Sequence, residues 1–303
     1  MSTLREAALR SVYRLGWRSA ARLPQPLVSG FIRAASAAAT RRNGPHVQTL
    51  RRNLTAATGA PADDELLRAG LASYLRNFYE VLALPAWSRG EVVQRVTTVG
   101  EETLRTAFAT GGAVVALPHS GNWDLAGAWA CYTGMPVTTV AEQLGDAEYA
   151  AFVGFRDGLG MRVLSHQDPA TLPTLIRAVA DRRLVCLVAD RDLPGSGVPV
   201  TWRDQQVTMP GGPALVARRS GAALVPAVCA FTPDGMRITF GDVVAERPGR
   251  AGLQAMTQDV ASFFADQIAR QPEDWHMMQP FFPSGPPPRP PGPTRRPPPP
   301  RPA

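Results

Sequence analysis

Short, mainly apolar runs recur along the chain and are separated by stretches of helical periodicity. The run Ala113–Leu117, which follows Gly111 and Gly112, is apolar throughout, whereas Met236–Phe240 alternates apolar and polar residues. Continuous apolar runs indicate strands that are buried on both faces, and alternation indicates a strand with one solvated face. The remaining runs are Val137–Val140, Leu184–Val188 and Leu224–Ala230. The helical stretches are Asn122–Tyr132, Ala147–Gly158, Leu172–Asp181 and Thr257–Ala269.

Strands that alternate with helices predict an α/β fold with a largely parallel central sheet flanked by helices. Two further helices are predicted before the first strand, over His46–Leu54 and Ala62–Leu84. A chain of 303 residues is long enough to bury a core around a catalytic pocket. We therefore expect one folded domain over residues 61–282.

The first 23 residues have the pattern of an amphipathic helix. Its apolar face consists of Leu4, Ala8, Val12 and Leu15, and its basic face of Arg10, Arg14, Arg18 and Arg22. Tyr13 and Trp17 lie between these faces, where aromatic rings suit the headgroup region of a bilayer. Residues 1–60 are therefore interpreted as a basic, helical membrane-docking segment. A surface helix packed on the body is the alternative, and nucleic acid could bind the same cations.

Positive charge is concentrated at the two ends of the chain. Residues 1–55 carry a net charge of +9 and residues 284–303 carry +4, although the whole chain carries only +7. The region between them is therefore acidic, with a net charge of −6. Basic ends on an acidic body favour attraction to an anionic membrane surface and argue against nucleic acid as a partner.

Two features bear on where the protein acts. The chain has no run of about 20 apolar residues that predicts a membrane-spanning helix, and its N-terminus lacks the apolar core of a signal peptide. We therefore expect a peripheral protein on the cytoplasmic face of the plasma membrane. Residues 283–303 are rich in Pro, Gly and Arg and are predicted to be disordered.

The first candidate for chemistry is His119, which follows the predicted strand Ala113–Leu117. Ligands of open parallel sheets bind beyond the carboxyl ends of the strands, and histidine ordinarily accepts a proton near neutral pH. Asp124 lies five residues later, in the first turn of a predicted helix, where its carboxylate could hold the imidazole in one tautomer. An acid in that turn is equally favoured as a helix cap or by the helix dipole.

Asp190 follows the predicted strand Leu184–Val188, so it emerges at the same edge of the sheet as His119. This placement supports a shared site. The structural alternative is that Asp190 pairs with Arg191 or Arg183.

Several blocks of the sequence resemble the lysophospholipid acyltransferase superfamily. They match most closely the branch that contains lipid A late acyltransferases and actinobacterial phosphatidylinositol mannoside acyltransferases. The first block is His-x4-Asp, at residues 118–124 (PHSGNWD). The others are residues 138–142 (TTVAE), Arg156 with the Gly-Leu-Gly of residues 158–160, residues 188–193 (VADRDL), 209–214 (MPGGPA) and 274–280 (DWHMMQP). The resemblance extends from residue 1 to about residue 282.

The resemblance implies transfer of a palmitoyl chain from palmitoyl-CoA to a mannose hydroxyl of phosphatidylinositol mannoside. His119 would remove the hydroxyl proton as the oxygen attacks the thioester carbonyl. Asp190 takes the position of the relay carboxylate, where the family pattern has Glu; either the backbone compensates or Asp124 takes a larger share. A direct transfer agrees with the lack of a Gly-x-Ser-x-Gly motif. It requires acyl-CoA as co-substrate and no cofactor.

The resemblance also implies contacts with the substrates. Arg156, Ser196 and Arg219 fall where the family contacts acyl-CoA, although Arg219 stands where an acid is expected. The alternative for Arg156 is a surface salt bridge with Asp157 or Glu142. Glu142 and Arg191 are expected to order the floor of the pocket, and a structural ion pair explains them equally well. Trp123 and Trp129 are expected to line a groove for the acyl chain.

The remaining candidates receive structural interpretations. Trp275 and His276 are assigned to packing and surface anchoring, and the three cysteines to a reduced core. No set of residues has metal-ligand spacing, so no metal is expected. The other functions considered are acylation of a different glycolipid or a lysophospholipid, a metal-dependent hydrolase and a non-catalytic membrane adaptor.

Overall fold

The computed structural model describes residues 20–142, 146–192 and 195–283. Within them the predicted α/β fold is confirmed: a largely parallel sheet lies between layers of helices. The predicted helix over residues 1–23 and the predicted disordered tail fall almost wholly outside the described residues, apart from a 3₁₀ turn at Ala20–Arg22.

The described residues contain more helices than the sequence pattern predicts, and the helices predicted over His46–Leu54 and Thr257–Ala269 are longer than predicted. They are α1 (Gln25–Arg42), α2 (Pro45–Thr58), α3 (Asp64–Ala83), α4 (Arg89–Gln94), α5 (Glu101–Thr110), α6 (Trp123–Tyr132), α7 (Asp146–Gly158), α8 (Thr171–Ala180), α9 (Gly212–Ser220) and α10 (Gly249–Arg270). Short 3₁₀ helices lie at Leu84–Ala86 and Pro272–Asp274.

The strands are β1 (Val96–Val99), β2 (Ala113–Leu117), β3 (Val137–Ala141), β4 (Arg162–Ser165), β5 (Leu184–Val188), β6 (Val198–Trp202), β7 (Gln205–Met209), β8 (Ala223–Thr232) and β9 (Gly235–Phe240). The central sheet has the order β1-β9-β8-β2-β5-β3-β4. From β8 to β4 every pair of neighbours is parallel, while β9 is antiparallel to β8 and parallel to β1. Strands β6 and β7 form a separate antiparallel hairpin.

Two apolar layers cover the sheet, and the alternation along β2 shows how they are divided. Val114 and Ala116 belong to the core beneath α8, α9 and α10. Val115 and Leu117 face the opposite core, beneath α4, α5, α6 and α7. Because side chains alternate along a strand, a residue two positions beyond Leu117 projects toward the α6 layer.

The described part of the predicted N-terminal segment packs on the body. Leu50 and Leu54 of α2 share one apolar cluster with Leu67 and Leu71 of α3. In addition, the Nδ2 amide of Asn53 donates to two backbone carbonyls of the C-terminal segment, at 2.7 and 2.8 Å. Over the described ranges, none of the helices has the length and apolar character needed to cross a bilayer.

Candidate active site

His119 and Asp190 lie side by side because β2 and β5 are parallel neighbours. Leu117 is paired with Val188 in the sheet, and the Ala189 N–H donates to the Leu117 carbonyl at 2.8 Å. The ladder therefore continues one residue past the end of β5. Two residues beyond this last pair, His119 and Asp190 occupy matching positions at the carboxyl edge of the sheet, as the sequence predicts.

The carboxylate of Asp190 makes three hydrogen bonds. Its Oδ1 lies 2.6 Å from Nδ1 of His119, and its Oδ2 accepts the His119 backbone N–H at 2.9 Å. Oδ2 also accepts the indole Nε1–H of Trp275 at 2.9 Å. Asp190 is fully buried. Burial opposes its ionisation, but the imidazole of His119 and these hydrogen bonds lower the pKa of Asp190.

An ionised Asp190 fixes the tautomer of His119. A carboxylate only accepts hydrogen bonds, so Nδ1 of His119 carries the hydrogen and Nε2 is left with a lone pair. The imidazole is 27% exposed, and it packs against Trp123 in a T-shaped arrangement with ring centroids 5.3 Å apart. A neutral imidazole held in this way is arranged to act as a general base.

Asp124 makes no hydrogen bond to the imidazole of His119, so the prediction that its carboxylate holds the ring in one tautomer is wrong. The carboxylate of Asp124 instead accepts two hydrogen bonds from Arg156, one from Nε at 2.6 Å and one from Nη2 at 3.3 Å. Both side chains are largely buried, and burial lowers the pKa of Arg156, but the charge of Asp124 outweighs it and raises that pKa. The alternative partners of Arg156, Asp157 and Glu142, are also incorrect, because α7 lies against the first turn of α6 and brings Arg156 to Asp124.

Neither alternative partner of Asp190 is observed. Arg183 lies at the opposite end of β5, where it donates to the Thr138 hydroxyl at 2.7 Å. Arg191 forms an ion pair with Glu142 at 2.5 Å, and both residues line the cleft described below. The ion pair proposed for Glu142 and Arg191 is therefore confirmed.

Trp275 has the packing role that the sequence predicts, but it is not a surface anchor. It is fully buried, and it stacks on Trp202 with ring centroids 5.5 Å apart. The next residue, His276, is also buried, and its backbone N–H donates to the carbonyl of His119 at 2.8 Å. The C-terminal segment thus holds both members of the His119–Asp190 pair. Local sequence gave no signal for this contact, since Trp275 and Asp190 are 85 residues apart.

A cleft of about 540 Å³ opens in front of His119. Its lining combines polar and aromatic side chains, among them Tyr74, Asn77, Trp123, Tyr149, Arg191 and His276. Such a cleft can receive a polar substrate next to His119.

A second cavity, narrower and mainly apolar, lies between α6 and the sheet and adjoins the cleft. Both are lined by Trp123, Asp124, Val140, Arg156 and Val188. The cavity is lined by residues from β9, β8, β2, β5 and β3. Four strand spacings of about 4.8 Å separate β9 from β3, so the strands that line the cavity extend over about 19 Å. The cavity itself is narrow, with a volume of about 70 Å³. Trp123 and Trp129 line it, as predicted.

Cysteine thiols on the cavity wall are unsuited to covalent catalysis. Burial raises the pKa of Cys186 and raises that of Cys229 to about 12, so both remain protonated. Neither forms a disulfide. Across the described residues, no three His, Cys, Asp or Glu side chains are grouped as metal ligands.

Two predicted substrate contacts lie away from the cleft. Arg219 is exposed in the last turn of α9, which leads into the first residue of β8. Because β8 runs parallel to β2, Arg219 lies at the edge of the sheet opposite to His119. Ser196 is exposed in the loop before β6. Neither lines the cleft.

Comparison with known proteins gives consistent matches over almost the whole chain. The family model for bacterial lipid A biosynthesis acyltransferase matches residues 2–284. A phosphatidylinositol mannoside acyltransferase of Mycolicibacterium smegmatis is 41% identical over 276 residues, which cover 88% of this chain and 89% of that protein. A phosphatidylinositol mannoside acyltransferase of Mycobacterium tuberculosis is 36% identical over 296 residues, covering 92% and 90%.

These matches agree with the resemblance that the motifs indicate. Together with the His119–Asp190 pair at the carboxyl edge of the sheet, they define a glycolipid acyltransferase. The chain belongs to the bacterial lipid A biosynthesis acyltransferase family, with phosphatidylinositol mannoside acyltransferases among its relatives.

Proposed function

We propose that this acyltransferase moves a palmitoyl group from palmitoyl-CoA to a mannose hydroxyl of phosphatidylinositol mannoside. The observation that carries the proposal is the place of His119, beside the junction of a polar cleft and a narrow apolar cavity. The cavity suits the acyl chain, and the cleft suits the sugar. The thioester then lies at the junction, within reach of the base.

His119 provides the base for a direct transfer. Its Nε2 takes the proton of the mannose hydroxyl while that oxygen attacks the thioester carbonyl. The new C–O bond forms, and the C–S bond breaks as the tetrahedral intermediate collapses. The imidazolium returns its proton to the departing CoA thiolate. Asp190 stabilises the imidazolium, since its carboxylate lies 2.6 Å from Nδ1.

The neighbouring hydroxyl does not offer a competing nucleophile. Ser120 is 1% exposed, and its Oγ accepts the backbone N–H of Cys229 at 3.3 Å. A mechanism without an acyl-enzyme agrees with this burial, and acyl-CoA serves as co-substrate without a cofactor.

Arg156 is the remaining candidate for a contact with the donor. It lines both the cleft and the cavity, and a guanidinium has five N–H donors, of which Asp124 accepts two. The donors that remain suit the oxygen atoms of acyl-CoA near the thioester. Asp124 then acts by holding Arg156 and not by orienting His119.

The protein is proposed to act as a peripheral protein on the cytoplasmic face of the plasma membrane. Leu27 and Phe31, one turn apart on α1, are 67% and 70% exposed, and Leu23 is 50% exposed. Helix α1 packs against α3, which places a half-exposed Phe78 on the wall of the cleft. Exposed apolar side chains beside a basic N-terminus favour an anionic membrane surface.

The proposal is tested by incubating the purified protein with radiolabelled palmitoyl-CoA and a panel of lipids. The panel contains phosphatidylinositol mannoside, phosphatidylinositol, a lysophospholipid and a second glycolipid. Label on the mannoside alone supports the proposal. Label on another lipid keeps the acyl-CoA chemistry and replaces the acceptor, whereas no label on any lipid rejects acyl-CoA as the donor.

A further inference from the structure

Two buried hydrogen-bond acceptors on one side of the cleft have no visible partner. They are Oδ1 of Asn77 and Nδ1 of His276, in side chains that are 4% and 7% exposed and line the cleft. Neither atom has a hydrogen-bond partner within the described part of the chain. An unpaired buried polar atom costs about 1–3 kcal/mol, so two at one site point to a ligand.

A chain of hydrogen bonds fixes the hydrogen of the His276 ring. The Ser73 hydroxyl lies 2.6 Å from Oδ1 of Asp274 and 2.9 Å from Nε2 of His276. Oδ2 of Asp274 accepts the Phe231 N–H at 2.6 Å, as expected of a carboxylate. Ser73 therefore donates to Asp274 and accepts the hydrogen on Nε2. Nδ1 of His276 is left as a bare acceptor.

The ring of His276 also remains neutral. Burial, followed by the proximity of His119, lowers the pKa of His276 to about 3. An uncharged ring with its hydrogen on Nε2 can only accept at Nδ1, and the Oδ1 atom of Asn77 can likewise only accept. Both positions therefore require a donor, such as a hydroxyl group.

These acceptors lie close to the catalytic base. The backbone N–H of His276 donates to the His119 carbonyl at 2.8 Å, and both imidazoles contact Trp123, with ring centroids 5.3 and 6.2 Å away. Asn77 lies one turn beyond Ser73 on α3, so the two residues share a helix face. Asn77 and His276 line the same cleft as His119.

We propose that Asn77 and His276 form the acceptor-sugar subsite and accept hydrogen bonds from ring hydroxyls next to the one that His119 deprotonates. This inference rests on the proposed function and adds a basis for specificity. A sugar supplies several neighbouring hydroxyls and satisfies both atoms. An acceptor with a single hydroxyl leaves both atoms unpaired when it reacts.

A matched pair of substitutions at His276 separates the two ring nitrogens. The amide nitrogen of His276→Gln reaches the Nε2 position and keeps the Ser73 contact, but it removes the acceptor at Nδ1. The amide oxygen of His276→Asn restores an acceptor near Nδ1 and loses the Ser73 contact. Asn77→Leu removes the second acceptor with little change in volume.

The measurements are the KM for phosphatidylinositol mannoside and the partition of palmitoyl-CoA between transfer and hydrolysis. His276→Gln and Asn77→Leu are expected to raise the acceptor KM about 5- to 100-fold and to lower the ratio of transfer to hydrolysis. His276→Asn is expected to lie nearer to the wild type. A long-chain alcohol, which has one hydroxyl, is expected to show no such difference between the variants.

The outcomes distinguish this inference from the proposed function. An unchanged acceptor KM in His276→Gln, or equal losses for the mannoside and the alcohol, overturns the sugar subsite while acyl-CoA remains the donor. If the wild type neither transfers nor hydrolyses palmitoyl-CoA, the proposed function falls and the inference with it. Should Asn77→Leu fail to fold, the two His276 variants decide the question alone.

Discussion

The indole Nε1–H of Trp275 donates a 2.9 Å hydrogen bond to Oδ2 of Asp190, the carboxylate that holds His119. A residue close to the end of the described chain thereby helps to fix the orientation of the His119–Asp190 pair. Trp202 stacks on Trp275 at 5.5 Å, yet its own Nε1 has no partner among residues 20–142, 146–192 and 195–283. The two indoles are equally buried and differ in this one bond.

This difference yields a prediction with an internal control. Trp275→Phe is expected to lower kcat about 10-fold with little change in KM, because Asp190 loses one of the donors that orient its carboxylate. Trp202→Phe removes a similar aromatic volume and no observed hydrogen bond, so its kcat should remain close to that of the wild type. Equal effects on kcat in both variants would mean that packing, and not the bond to Asp190, matters.

The length of the Asp190 side chain is a second test. Asp190→Asn cannot hold the Nδ1–H tautomer of His119 in the same way, and kcat is expected to fall by about 10³-fold or more. Asp190→Glu keeps the carboxylate and adds one methylene, but the site is fully buried and the Asp190 carboxylate already has three donors. One more methylene should cost about 1–3 kcal/mol in unfolding free energy and reduce kcat.

Steady-state kinetics and denaturant unfolding of both Asp190 variants check these outcomes. An Asp190→Glu enzyme with wild-type kcat and stability would show that the site around the Asp190 side chain is not closely filled.

Membrane docking is tested on the exposed face of α1. The double variant Leu27→Ser, Phe31→Ser is expected to lose much of its binding to anionic vesicles in a sedimentation assay, because two exposed apolar side chains no longer enter the lipid. Val243→Ser is the control, since Val243 is 47% exposed. Its neighbour Val244 pairs with the start of β8, at the edge of the sheet opposite to His119. Equal binding by the double variant and the control would contradict docking through α1.

The buried ring of His276 predicts a pH dependence of stability. Its pKa is about 3 in the folded protein and about 6.5 in the unfolded chain, so only the unfolded state binds this proton between those values. The unfolding free energy should therefore fall as the pH drops below about 6.5, by up to about 1.4 kcal/mol per pH unit. Asp274 acts in the opposite sense. Burial raises its pKa to about 6, so its contribution to the unfolding free energy is lost as the pH rises through this value.

Because His276→Gln retains Asp274, the difference in unfolding free energy between wild type and variant isolates the histidine. Chemical denaturation at several pH values between 4 and about 7 gives this difference. A difference that does not vary with pH would show that His276 is not held neutral by burial.

The carboxyl edge of the sheet was predictable because two apolar runs identified β2 and β5. Neighbouring parallel strands bring His119 and Asp190 to one edge, and neither residue needs a long-range signal to be placed there. The partner of Asp124 was not predictable, since it depends on how α7 lies against α6. Trp275 was missed for the same reason: its bond to Asp190 spans 85 residues.

Several elements were missed because their local signals are weak. Pro24 directly precedes helix α1 and Pro26 lies in its first turn; both resemble turn signals, but proline is accommodated there because the first amides of a helix have no helical partner. The β6–β7 hairpin turns at Arg203, whose φ of 57° is more usual for Asn or Gly.

The most direct test of the central claim compares palmitoyl transfer from palmitoyl-CoA to phosphatidylinositol mannoside by the wild type and by His119→Ala. Thermal unfolding is measured on the same samples to show that the variant is folded. The account predicts a loss of about 10²- to 10⁴-fold in kcat with an unchanged unfolding temperature. A folded His119→Ala enzyme with wild-type turnover would contradict the assignment of His119 as the base.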